Sequence, residues 1–125
     1  MDKKKVLIID DESAFTRMTK LMLEKTGAFE VLEENKASHA LVAARDFKPD
    51  LILLDVVMPD MDGGDVAARL QADPELQKVP IVFLTALVSG REARSGPVMR
   101  AGYRFLGKLT SGADLVRCIE ENVAH

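Results

Sequence analysis

Leu51-Ile52-Leu53-Leu54-Asp55 is four aliphatic residues closed by an acid. A short unbroken apolar run suits a strand covered on both faces, the kind found inside parallel sheets. The same pattern recurs on either side of it. Val6-Leu7-Ile8-Ile9 is closed by Asp10 and Asp11, Ile81-Val82-Phe83-Leu84 by Thr85, and Phe105-Leu106-Gly107 by Lys108. Four strand ends therefore present an acid pair, an acid, a hydroxyl and an ammonium. If the strands are parallel neighbours, these five groups crowd one edge of the sheet.

Helical patterns fill the intervals. Ser13 to Thr26 carries Phe15, Met18, Leu21 and Met22 at helical spacing and is stopped by Gly27. Phe29–Leu32 is a half-polar strand expected near an edge. Ser38–Phe47 places Ala40, Leu41, Ala44 and Phe47 on one helical face, and Pro49 ends it. The breakers in Met58-Pro59-Asp60-Met61-Asp62-Gly63-Gly64 make a loop, followed by a helix over Asp65–Ala72. Arg91–Ala101 is expected to be helical in part, interrupted at Gly96-Pro97. Arg104–Leu106 reads as the fifth strand. Ser111–Val123 reads as the last helix, with Ser111 and Asp114 at capping-box-like spacing. Serial strand–helix units imply one α/β domain over residues 1–125, a parallel sheet with helices on both faces. In such sheets ligands bind beyond the carboxyl ends of the strands.

Composition narrows the classes. The chain has 125 residues, 47% apolar and 30% charged, which suits one ordinary globular domain. A net charge of −3 argues against nucleic acid as a direct partner. The one cysteine, Cys118, cannot form an internal disulfide and falls in an apolar helical stripe with Leu115 and Ile119, where a small core residue is expected. Lys3, Lys4 and Lys5 lead into an apolar run too short for a secretory leader or a membrane span, so a cytoplasmic protein is expected.

Three carboxylates drawn together at Asp10, Asp11 and Asp55 need a counter-charge or a retained proton. An all-oxygen donor set selects a hard divalent ion, Mg²⁺ first and Mn²⁺ as an alternative. Taken alone, the adjacent acids could equally mark a solvated helix N-terminus, since Asp11, Glu12 and Ser13 could all serve the helix macrodipole. Joined by Asp55, the metal reading leads. Asp55 is the natural nucleophile, since a carboxylate can attack a phosphoryl group to give an acyl phosphate. Lys108 supplies positive charge for that group and Thr85 a hydroxyl donor.

These residues resemble the receiver domains of two-component response regulators. The likeness rests on Asp10-Asp11 followed by Glu12, Asp55, the Met58-Pro59 and Asp62-Gly63 loop, Thr85-Ala86, and Lys108. It implies a flavodoxin-like, doubly wound sheet of five parallel strands in the order 2-1-3-4-5 with five helices. It implies that a histidine kinase or phosphotransfer protein donates a phosphoryl group to Asp55, with the domain catalysing its own phosphorylation and slow dephosphorylation rather than acting as a conventional enzyme. The backbone carbonyl of Val57 would complete the Mg²⁺ site. Thr85 and the aromatic Phe105 would form the switch, reshaping the surface of the fourth helix, fifth strand and fifth helix for an output protein or domain, with a phosphorylation-dependent dimer among the outcomes.

The chain departs from the family at three places. Leu109 stands where proline is usual after the site lysine; a cis bond there would cost roughly 2.5–4 kcal/mol, so either a trans bond with a shifted Lys108 loop or a strained cis bond is expected. Val57 and Leu87, two residues beyond Asp55 and Thr85, are apolar and should exclude hydrolytic water, prolonging the phosphorylated state. Gly90, Gly96 and Pro97 should shorten the fourth helix or delay its start to near Pro97, in a region made basic by Arg91, Arg94, Arg100 and Arg104. A haloacid-dehalogenase-type phosphatase would need Asp-x-Asp after the first strand, and a flavin-binding module a Ser/Thr/Gly-rich loop there. Asp10-Asp11-Glu12 supplies neither.

Overall fold

The computed structural model describes residues 3–59, 61–86, 98–100, 103–108 and 110–123, with 98–100 and 103 as backbone only. Strands β1 (Lys4–Ile9), β2 (Phe29–Glu34), β3 (Leu51–Asp55), β4 (Ile81–Thr85), β5 (Val98–Arg100) and β6 (Tyr103–Gly107) form one sheet in the order β2-β1-β3-β4-β6-β5. The five anticipated strands are all parallel and in the anticipated order. The register puts Ile9 beside Leu54, Asp55 beside Leu84, and Thr85 beside Gly107. Thus the polar residues that end β1, β3, β4 and β6 are brought level at one edge.

Side chains alternate between two buried layers, as the two-residue strand period requires. Val6, Ile8, Leu51, Leu53, Val82, Leu84 and Leu106 pack under helices α1 (Ser13–Lys25) and α4 (Gly112–Asn122) with Leu23, Leu115, Cys118 and Ile119. Leu7, Ile9, Ile52, Leu54 and Phe83 pack under α2 (Ala40–Phe47) and α3 (Gly63–Ala72) with Ala40, Ala44, Val66 and Leu70. Cys118 is a core residue, and burial pushes its thiol up to about 11. None of the described helices is long and apolar enough to cross a membrane.

β2 lies at a sheet edge, and α1 covers that edge chemically. Glu24 Oε2 accepts from the Val31 N–H at 3.0 Å, and Lys20 Nζ donates to the Val31 carbonyl at 2.9 Å. Edge groups that would otherwise offer pairing to another chain are thereby occupied. At the helix ends, Gly27 adopts φ 82 after α1, and Ser111 Oγ accepts from the Asp114 N–H to cap α4.

Three expectations need correction. First, Val98–Arg100 is not helical but an edge strand antiparallel to β6, pairing Val98 with Phe105 and Arg100 with Tyr103. Among the described residues the sheet therefore has six strands, with four α-helices and a short 3₁₀ turn at Ala37–His39 before α2. The start of the expected fourth helix lies outside the described residues. Second, the buried face of α1 is Thr16, Thr19 and Leu23, while Met18 is 63% and Leu21 59% exposed. The cause is polar: Thr16 Oγ1 donates to Glu33 Oε1 at 2.8 Å and accepts from Asn35 Nδ2 at 3.0 Å, which turns the threonine face inward. Third, α3 begins two residues early, at Gly63, because Asp62 Oδ1 caps it by accepting from the Gly64 N–H at 3.1 Å.

Candidate functional site

Asp10 leaves β1 fully buried, and both its carboxylate oxygens are engaged. Oδ1 accepts from the Glu12 N–H at 3.0 Å, which bends the chain into α1, and Oδ2 lies 2.8 Å from Lys108 Nζ. Its backbone carbonyl accepts from Asn35 Nδ2 at 2.7 Å, so the residue is fixed from three sides. Asp55 continues the Leu51, Leu53 alternation of β3 and is 4% exposed. One oxygen each from Asp10, Asp11 and Asp55 lies within 4.8 Å of the others, with Asp11 on the solvent side.

Electrostatics follow from that crowding. Burial, then the charge of Asp10, pushes the Asp55 carboxyl from 3.8 up to about 6, against the opposing pull of Lys108 and of the Val57 N–H bonded to it. Burial alone would lower the Lys108 ammonium. Hydrogen bonds to Asp10 and Glu12, with the charges of Asp10 and Asp55, raise it well above the ordinary lysine range instead. The Lys108 Nζ is 3.6 Å from Asp55 Oδ2 and 5.2 Å from the centroid of the Phe15 ring. A cluster whose buried strand-end carboxylate on β3 tends to keep its proton suits a divalent cation: three oxygens converge, and one positive side chain does not neutralise them.

Thr85 ends β4 buried, and its carbonyl accepts from the Lys108 N–H at 3.0 Å, tying the two strand ends together. Two positions earlier in β4, Phe83 stacks on Phe105 of β6 with ring centroids 5.1 Å apart and planes 20° from parallel. Phe105 is half-buried in this arrangement. All five strand-end groups are therefore gathered, with Phe105 in the neighbouring layer. Val57 is 68% exposed beside the site, with its N–H directed to Asp55. Leu87, Leu109 and the bond between Lys108 and Leu109 lie outside the described residues.

Several contributors escaped sequence reasoning. Gly63 donates its N–H to the Val56 carbonyl at 3.0 Å, and a Cβ there would come within 2.4 Å of the Asp55 carbonyl oxygen and 2.9 Å of Val56 Cα. Only glycine lets α3 start against the end of β3. The sequence marked Gly63 as a loop breaker and gave no sign of this approach. Asn35, Phe15 and Glu12 likewise reach the site from elements whose packing decides their roles.

Comparison with known proteins agrees with this arrangement. Residues 6–120 match the family model of the response regulator receiver domain. The DNA-binding response regulator MtrA of Mycolicibacterium smegmatis is 39% identical over 84 residues, 67% of this chain and 35% of that protein. The phosphate regulon transcriptional regulatory protein PhoB of Pseudomonas aeruginosa is 41% identical over 83 residues, 66% of this chain and 36% of that protein. The match thus spans little more than a third of these relatives' lengths. A CheY-like response regulator receiver domain protein from Methanospirillum hungatei superposes with a TM-score of 0.78 at 25% identity, covering 96% of this chain and 93% of that one. With its acid cluster, strand-end lysine and parallel sheet all in place, this chain belongs to the response-regulator receiver-domain family of two-component signalling.

Proposed function

We propose that this domain accepts a phosphoryl group on Asp55 and signals by the rearrangement that follows. The observation that carries the reading is the buried Asp55 carboxylate, raised toward protonation and flanked by Asp10, Asp11 and Lys108. A donor phosphohistidine would lose its P–N bond as an Asp55 oxygen forms a P–O bond; the leaving imidazole takes up a proton. Asp10, Asp11 and Asp55, with the Val57 carbonyl, would hold Mg²⁺ or Mn²⁺. When bound, such an ion screens the carboxylates from the incoming phosphoryl oxygens. Lys108 offers ammonium donors to the phosphoryl group and Thr85 a hydroxyl.

Rotation of Thr85 toward the new group would alter the layer in which Phe83 and Phe105 stack, a two-state element biased by phosphate contacts. The donor would be a histidine kinase or phosphotransfer protein in the cytoplasm, and the output a partner protein or a further domain. The exposed apolar Val57 leaves no polar side chain at that position to orient hydrolytic water, so a long-lived phosphorylated state is expected. Incubation with Mg²⁺ and acetyl phosphate, followed by intact mass analysis, tests the reading. One added phosphoryl group is expected, dependent on Mg²⁺. No gain with any phosphodonor would overturn it.

A further inference from the structure

Glu12 stands outside the three-carboxylate cluster yet makes one of the two closest contacts to its cation. It occupies the N-cap position of α1, with extended backbone, φ −84 and ψ 95. A side chain there ordinarily folds back onto a free helix N–H. Glu12 makes no such bond. Its backbone N–H is held by Asp10 Oδ1, and its carboxylate reaches across 96 positions of sequence to accept a close hydrogen bond from Lys108 Nζ. Phe15, one turn further along α1, lies against the same ammonium. The N-terminus of α1 therefore grips Lys108 while Asp55 Oδ2 remains 3.6 Å away, beyond hydrogen-bonding distance.

We infer that Glu12 is a positioning residue, a latch that retains Lys108 in the unphosphorylated protein and releases it when Asp55 carries a phosphoryl group. This rests on Asp55 being the acceptor. The Lys108 ammonium has three donors, and its pairs with Asp10 and Glu12 differ in setting. Asp10 is fully buried, where solvent does not reach the ion pair to weaken it. The Glu12 side chain is 62% exposed, and water can solvate it once released. A phosphoryl group on Asp55 adds negative charge within reach of the ammonium, so the exposed pair is the one that yields. The released carboxylate then stands free at the start of α1, at the mouth of the site.

The test compares wild type with Glu12→Gln, Glu12→Asp, Lys108→Met and the Glu12→Gln/Lys108→Met pair. Each is treated with Mg²⁺ and sub-saturating acetyl phosphate, and the initial rate of phosphoryl uptake is read by intact mass. Weakening an exposed ion pair is expected to raise the rate about two- to fivefold in Glu12→Gln. Glu12→Asp keeps the charge but loses the reach and should behave like Glu12→Gln. The Lys108 ε-methylene NMR signals should move in both Glu12 variants before any donor is added, and Glu12→Gln should have no effect once Lys108 is methionine. A Glu12→Asp rate equal to wild type, unmoved Lys108 signals, or an equal effect of Glu12→Gln in the Lys108→Met background overturns the latch. Uptake by wild type with no difference among the Glu12 variants sinks the latch alone. No uptake by wild type sinks the phosphoryl-acceptor reading and the latch with it.

Discussion

The acid–lysine cluster and the β5–β6 pair lie in the same sheet, but different rules govern them. At the cluster, every polar group sits where an apolar strand stops, and the parallel register of β1, β3, β4 and β6 makes those stops coincide. At β5 no such constraint operates. Three residues fold back antiparallel on β6 in a segment where a helix would keep the alternating strand–helix order. The cluster tolerates little change because Lys108 is shared at short range between the buried carboxylates of Asp10 and Asp55. An edge strand of three residues has few partners to lose. The difference teaches that the site of this domain is fixed by sheet register, whereas the β5 edge is free to be rebuilt.

Substitutions on the two sides should therefore differ in size. Asp55→Asn is expected to abolish phosphoryl uptake by mass analysis and also to remove any stabilisation of the protein by Mg²⁺ in urea melts. In metal-free wild type, stability should fall as pH rises from about 4 to about 6. The sign follows from the raised Asp55 carboxyl: between 3.8 and about 6 the folded state holds a proton that the unfolded state has released. That rise corresponds to at most about 3 kcal/mol. Urea melts in a chelator at pH 4 and pH 7 read it, and this fall should be lost in Asp55→Asn, which leaves the opposite, smaller dependence of the lowered Asp73 carboxyl. A pH-independent difference between the two proteins would show that the cluster is not under charge strain.

Gly63→Ala comes next. The added methyl meets backbone atoms of Asp55 and Val56, which cannot swing aside as a flexible side chain can. A loss of about 1–3 kcal/mol is expected, together with slower phosphoryl uptake as the end of β3 shifts. The smallest effect belongs to the other region. Met99→Pro should cost about 1 kcal/mol or less, because an edge strand accommodates proline, with phosphoryl uptake unchanged. A helix at this position would lose ~3 kcal/mol, so a large loss would contradict the strand.

What the sequence made legible follows the same division. Strand ends are marked by where aliphatic runs stop, so Asp10, Asp55, Thr85 and Lys108 could be placed before any packing was known. β5 was missed because Gly96-Pro97 reads as a broken helix. Yet Val98 and Tyr103 are strand formers, and only the two residues Ala101 and Gly102 separate the paired segments, which is hairpin spacing. Threonine counts as polar in the pattern, and the partners that turn Thr16 inward arrive from β2 and the residues after it, beyond the Ser13 carbonyl of its own helix. Glu12 pairs with a residue near the far end of the chain, a contact that no local pattern encodes.

The central claim is that the five strand-end groups form one phosphoryl-accepting site with its covalent chemistry at Asp55. Its most direct test is to treat the protein with acetyl phosphate and Mg²⁺, reduce it with borohydride, and map the peptides by mass. Borohydride converts an aspartyl phosphate to homoserine and leaves ordinary carboxylates intact. Homoserine at position 55, with Asp10 and Asp11 unchanged, is the predicted result. Reduction at Asp10 or Asp11, or a phosphoryl group held on a hydroxyl such as Thr85, would contradict the account.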